Sequence, residues 1–153
     1  MIGIKGEYNI QLTIYNMFNS YSMSMDEHNI VTDTGVELLL NCAIRENNGE
    51  WFGGIHVGYG YVEPYATDTI DSFEVDDNQQ HSLPISHITV EDNTLTYDVV
   101  CDGQLLDGTN EIGIWSNTGE TLVTRSVHDT YSMPTGSEIR LKYKITIINI
   151  EEE

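Results

Sequence analysis

The chain predicts a mostly-β fold: an antiparallel β-sandwich of about seven or eight strands, with one packed α-helix at about residues 33–46. Three observations lead there. Apolar residues alternate with polar ones in several short runs, the period of a half-buried strand. Turn residues punctuate the chain at short intervals, as at Asp102-Gly103 and Asp107-Gly108. A helical apolar period occurs with force only once.

Taken in order, Glu7 to Asn16 places Tyr8, Ile10, Leu12 and Ile14 on one face and Asn9, Gln11 and Thr13 on the other, which predicts a strand. Met17 to His28 is rich in Ser, Met and Tyr and reads as a loop or extended arm, with Met23 and Met25 as candidate contacts to a neighbouring subunit. Thr32 or Asp33 is a plausible N-cap. Behind it, Val36, Leu39, Leu40, Ala43 and Ile44 form one apolar stripe that ends near Asn47-Asn48-Gly49. Gly54 to Tyr59 predicts a strand with Ile55, Val57 and Tyr59 on one face. Ile85–Val90 and Leu95–Val100 predict a hairpin joined at Glu91-Asp92-Asn93-Thr94. The last strand, Glu138 to Ile150, sets Ile139, Leu141, Tyr143, Ile145 and Ile147 against Arg140, Lys142, Lys144 and Thr146. Three bases in a row can neutralise acidic neighbours or form a docking stripe for another subunit. Glu151-Glu152-Glu153 reads as a solvated tail. Nothing divides the chain, so 1–153 is expected to be a single domain.

The stretch from Asn110 to Val127 organises the rest. Glu111-Ile112-Gly113-Ile114-Trp115 and Leu122-Val123-Thr124-Arg125 flank Ser116-Asn117-Thr118-Gly119-Glu120, a hairpin with a four- or five-residue loop. Gly119 can supply the positive φ that such a loop needs. Glu111 and Arg125 fall nearly opposite and are the candidate structural ion pair. If solvent-exposed, it would be worth only about 0–1 kcal/mol.

This stretch resembles the core of small virion domains of tailed bacteriophages, found at tail-fibre attachment ends and in baseplate, collar and head-fibre proteins. That core runs Glu, Ile or Met, Gly, an apolar residue and an aromatic, then a Gly turn and a strand closing on Arg or Val. Two further pieces follow the family's order. Thr32 to Gly35 before a helix is similar to its opening. Ile55-His56-Val57-Gly58-Tyr59-Gly60, with Asp68-Thr69 and Glu74, is similar to its middle. The likeness spans about Asn29 to Ile147. It implies a non-enzymatic structural virion protein, assembled in the host bacterial cytoplasm, whose partners are itself, as a trimer or ring, and other virion proteins. Tail-fibre members usually continue into a long fibrous region, whereas this chain ends at Glu153, which suits an adaptor or capsid decoration protein better.

Composition narrows the alternatives. Twenty-five acids against six Lys and Arg give a formal charge of −19. Phosphate binding needs clustered cations, so neither nucleic acid nor an anionic membrane surface is an expected partner. No apolar run approaches a membrane span, and the N-terminus lacks a leader pattern. From Glu63 to Asp77 six acids occur without a base, and no Lys or Arg lies between Arg45 and Arg125. Their spacing does not fit an EF-hand loop. A solvated loop is the ordinary reading, and a Ca²⁺ site shared between two loops stays open. Cys42 and Cys101 are not in metal-ligand spacing and read as two thiols or one disulfide.

No catalytic pattern is present. The five histidines form no HExxH or HxH, no G-x-S-x-G surrounds a serine, and Gly58-Tyr59-Gly60 lacks the third glycine of a dinucleotide fingerprint. No cofactor, catalytic residue or metal ligand is expected. Candidate interface residues are Met23, Met25, Trp51, Tyr59, Tyr61, Trp115, Arg140, Lys142 and Lys144. The rival function is a carbohydrate-binding module, in which Trp51, Tyr59, Tyr61 and Tyr65 would stack on sugar rings.

Overall fold

The computed structural model describes residues 2–14, 20–76 and 78–149. Eight strands and one α-helix follow in the order β1 (Ile2–Ile14), β2 (Ser20–Val31), α1 (Asp33–Ala43), β3 (Phe52–Gly58), β4 (Ile85–Glu91), β5 (Thr94–Asp102), β6 (Glu111–Ser116), β7 (Thr124–Val127) and β8 (Ser137–Asn149). The mostly-β antiparallel fold with one helix is as the sequence predicts. All the strand pairs are antiparallel, in the continuous order β3-β6-β7-β2-β1-β8-β5-β4. Strands β1, β8, β5 and β4 make one sheet and β3, β6 and β7 another. β2 joins them: it runs beside β1 from Ser20 to Asn29, then pairs Ile30 and Val31 with Arg125 and Thr124.

The two sheets enclose one core. Ile55 and Val57 of β3 and Ile112 and Ile114 of β6 cluster with Tyr97 and Val99 of β5 and Ile139, Leu141, Tyr143 and Ile145 of β8. The five β8 residues expected on one face are four buried ones and Ile147, which is 43% exposed at the strand's end. Hydrogen bonds cross the core where hydroxyls enter it. Thr124 Oγ1 and Tyr143 Oη share one of 2.6 Å, and Tyr97 Oη donates to the Phe52 carbonyl at 3.4 Å. Burial raises the Tyr97 phenol to about 12, and burial likewise pushes the Tyr143 phenol upward. Both remain neutral donors at ordinary pH.

Turn chemistry fixes the connections. Asp92 and Asn93 take φ of 51° and 62°, the two left-handed residues of a tight primed turn, so β4 and β5 pair directly from Glu91–Thr94 onward. Gly119 has φ 75° in the β6–β7 loop, as the hairpin reading requires.

Three expectations need correction. The segment 17–28, read as a loop or arm, is a strand from Ser20 onward. Tyr21, Met23 and Met25 alternate with Ser20, Ser22 and Ser24, a period of two hidden by the polarity of the serines. The backbones of Met23 and Met25 face Ile10 and Tyr8 of β1 in register; their side chains, like the tail Glu151–Glu153, lie outside the described residues. The helix also stops earlier, at Ala43 rather than 46, where Arg45 turns left-handed at φ 60°.

Its buried face differs as well. Gly35 and Leu38 are buried and Cys42 packs on the core, whereas Leu40 and Ile44 are 62% and 68% exposed. The N-terminus sets this rotation. Thr32 caps the helix by accepting from Gly35 N–H at 3.0 Å and donates through Oγ1 to the Leu122 carbonyl, while Thr32 N–H donates to Val123 O at 2.9 Å. A Cβ on Gly35 would lie 2.7 Å from Val123 O. That close approach turns positions 35, 38 and 42 inward and the expected stripe partly outward. Cys42 and Cys101 are both free thiols, and burial raises Cys101 to about 11.

Candidate functional site

The densest polar arrangement lies on the outer face of the three-stranded sheet. Alternation along β6 turns Ile112 and Ile114 into the core, which leaves Glu111, Gly113 and Trp115 facing outward. Arg125 of β7 and His56 of β3 share that outer face, and the connection from Tyr59 to Leu83 folds back over it.

Glu111 and Arg125 are the centre, at 0% and 1% exposure. Arg125 Nε donates to Glu111 Oε2 at 2.6 Å, and Arg125 Nη1 donates to Asp68 Oδ2 at 3.0 Å. The other carboxylate oxygen of Glu111 accepts two backbone N–H groups, from Gly60 at 3.0 Å and Glu74 at 2.9 Å. Asn110 Nδ2 adds a bond to Gly60 O at 2.6 Å, and Tyr59 N–H donates to Glu74 O at 2.7 Å. Burial raises the Glu111 pKa, while the backbone donor at Glu74 and the guanidinium of Arg125 pull it down. The predicted ion pair is thus an interior one, and it extends to a third member.

Glycines make room for it. A Cβ on Gly58 would sit 2.7 Å from Glu111 Oε1 and 2.5 Å from Glu74 O; one on Gly60 would sit 2.5 Å from Glu111 Oε2. The Gly-Tyr-Gly segment is a cradle for a carboxylate of its own chain, which explains both glycines without a ligand.

The acidic connection is therefore a cover and not simply a solvated loop. Asp68 sits on Arg125, and the buried Phe73 meets Trp115 edge-on at 5.4 Å. Ala66 O accepts from the helix's first N–H, at Asp33, at 2.8 Å. Glu63, Asp71 and Glu74 keep their side chains exposed; Asp77 lies outside the described residues. At the far end of the cover, His81 Nδ1 lies 2.9 Å from His56 Nδ1, and His56 stacks on Trp115 at 4.2 Å with 6° between the planes. No periodicity marks this pair, because the two histidines are 25 residues apart.

The other candidates separate. Trp115 is half-buried in these ring contacts instead of free at a surface. Trp51 and Tyr61 are 55% and 76% exposed but lie at opposite ends of β3. Trp51 O accepts from Asn117 N–H past the end of β6, whereas Gly60 is tied to Glu111 at its start. About 20 Å of extended strand separates those ends, so Trp51 does not join Tyr59, Tyr61 and Tyr65 in one platform. Arg140 and Lys142 lie exposed on the outer face of β8, where Lys142 meets Asp98 at 3.4 Å, and Lys144 is half-buried.

Among the described residues, no group of three or more His, Cys, Asp or Glu could hold an ion, and no helix is long and apolar enough to cross a membrane. Comparison with protein-family models, with curated proteins and with solved structures gives no match.

Proposed function

We propose that the protein is a non-enzymatic structural component of a tailed-phage particle, an adaptor that links fibre, collar, baseplate or capsid-surface parts by self-association and docking. The observation that carries this reading is where the three resembling segments meet. Thr32 and Gly35 close on Leu122 and Val123. Gly58, Gly60 and Glu74 close on Glu111, and Asp68 and Glu111 close on Arg125. The shared pattern therefore describes an internal brace that holds helix, cover and hairpin together. A brace in which Asp68 and Glu111 are both paired with Arg125 inside the fold suits a rigid building block better than a reacting centre, where a group must be left to meet substrate.

The surface offers means of attachment. β3 and β4 end the strand order; residues 81–83 hydrogen-bond along the outer edge of β3, which leaves β4 as the edge whose backbone groups are available to another chain. β4 exposes Ile88 and Val90 at 48% and 78%, and α1 exposes Leu40 and, at its C-cap, Ile44. Isolated residues of this kind are ordinary on any surface; their position on an edge strand and on the one helix makes them the first places to test. The expected mechanism is symmetric self-association, a trimer or ring, with repulsion among highly acidic copies opposing assembly at low salt.

The carbohydrate-binding reading draws its support from the exposure of Trp51, Tyr61 and Tyr65, but Trp51 and Tyr61 stand at opposite ends of β3 and do not stack on one sugar ring. A glycan array with the wild type and with Trp51→Ala and Tyr61→Ala tests it. Binding lost in either variant would replace the structural proposal. For the adaptor reading, immunogold or tagged-density imaging on purified particles is the direct test, and absence of the protein from every particle fraction would refute it.

A further inference from the structure

The geometry points to a two-histidine metal site, in which His56 and His81 present paired Nδ1 donors to one divalent ion of the copper(II) or nickel(II) class. Both rings have anchors besides the contact between them. His56 leaves β3 on the outer face and is clamped against Trp115 at 4.2 Å. His81 is set by its backbone: His81 O accepts from Val57 N–H at 2.8 Å, Leu83 N–H donates to Ile55 O at 2.9 Å, and Ser82 bridges to His56. The result is two Nδ1 atoms held 2.9 Å apart.

That spacing admits one ion between the two nitrogens. With metal–nitrogen bonds of about 2.0 Å, donors at a right angle lie roughly 2.8 Å apart, and tetrahedral donors roughly 3.3 Å apart. The observed separation is close to that of adjacent corners of a square or octahedron, the arrangement copper(II) and nickel(II) favour, and it is also the ordinary length of the N–H···N hydrogen bond that joins the metal-free rings. Burial and the neighbouring His81 lower the His56 pKa to about 4, so at neutral pH this ring carries a lone pair and no charge to repel a cation.

In the metal-free pair, one ring donates its Nδ1 proton to the other ring's Nδ1. Binding moves that proton to the donor ring's own Nε2, both Nδ1 lone pairs turn to the ion, and no net proton is released. Among the described residues no third His, Cys, Asp or Glu joins them, so water or an external ligand completes the coordination. The site lies where the cover rejoins β3. An ion there would tie residue 81 to the sheet, as Asp68 and Arg125 tie the middle of the cover.

Trp115, stacked on His56, provides the readout, since a bound copper(II) ion quenches an adjacent indole. The protein has two tryptophans, so Trp51→Phe is the background. Copper(II) chloride and nickel(II) chloride are titrated separately at pH 7.5, with circular dichroism checking each variant's fold. The expected result is saturable one-to-one copper quenching, a His81→Gln half-point raised by at least about tenfold, and an unchanged half-point in His87→Gln. Electron paramagnetic resonance of the wild-type copper complex is expected to show coupling to two imidazole nitrogens, which keeps the test valid if His81→Gln folds poorly. Quenching that is absent, or equal in His81→Gln, would overturn the assignment, as would a copper spectrum without nitrogen coupling; the pair would then be a hydrogen bond alone.

Discussion

Arg125 Nε lies 2.6 Å from Glu111 Oε2, with both side chains out of solvent and Asp68 on the same guanidinium. Two charges in water at that separation would matter little. In the interior, each owes its place to the other.

Removing the cation alone should therefore be costly. Arg125→Met leaves Glu111 and Asp68 facing each other without a counter-charge, and is expected to lower unfolding free energy by about 3–5 kcal/mol. In a chain of this size that corresponds to roughly 10 °C in Tm. Glu111→Leu combined with Arg125→Met removes both buried charges and should lose less than Arg125→Met alone. Urea denaturation of the three proteins checks this ordering, and a double variant worse than the single would contradict a charge-pairing origin.

The cradle glycines should be intolerant for a steric reason that a turn glycine lacks. Gly60→Ala brings a Cβ to 2.5 Å from Glu111 Oε2, and displacing that carboxylate is expected to cost about 2–3 kcal/mol. Gly108→Ala has open space around it and only its φ of 77° to strain, a cost of about 1 kcal/mol. Thermal melts of the two variants, side by side, measure the difference.

Much of this frame was legible before the fold. The hairpin, its Gly119 turn, the alternation along β8 and the Thr32 cap are local patterns, and each stands where the sequence puts it. What failed was either masked or distant. Serines hid the alternation of Tyr21, Met23 and Met25 in β2. The helix's inward face was set by Gly35 against Val123, a contact across 88 residues, and not by the larger apolar stripe through Leu40 and Ile44. The partners of Arg125 and His56 on the cover, Asp68 and His81, are 57 and 25 residues away, beyond any periodic signal. The acidic run read as solvated because its one apolar anchor, Phe73, is a single residue.

Acid should weaken the fold through His56. Folding lowers its pKa from 6.5 to about 4, by burial first and by His81 second. The unfolded chain then takes up a proton that the folded one refuses. Stability is full above pH 6.5 and falls as pH drops toward 4, by about 2–3 kcal/mol. His128, lowered by burial, acts with the same sign. Glu111 acts with the opposite sign, since a pKa raised by burial lets the folded chain take up that proton before the unfolded one as pH falls. The difference between wild type and His56→Gln isolates the first term. Urea midpoints from pH 7.5 to 4.5 should fall less steeply in His56→Gln, and parallel curves would show that His56 does not titrate this way.

The inter-sheet hydroxyl pair gives a smaller effect. Tyr143→Phe deletes the 2.6 Å bond to Thr124 while keeping the ring that stacks on Tyr8. The expected loss is about 1 kcal/mol, read from the shift in urea midpoint. A loss as large as that of Arg125→Met would mean that the hydroxyl pair, and not the charge cluster, is the principal brace.

Self-association is the claim on which the adaptor reading depends most directly. Light scattering coupled to size exclusion, over a series of protein concentrations from low to high salt, measures it. The expected result is a mass that rises with salt and concentration to a fixed multiple of the 17.3 kDa chain, as screening relieves repulsion among copies. A monomer mass at every concentration and salt would contradict it.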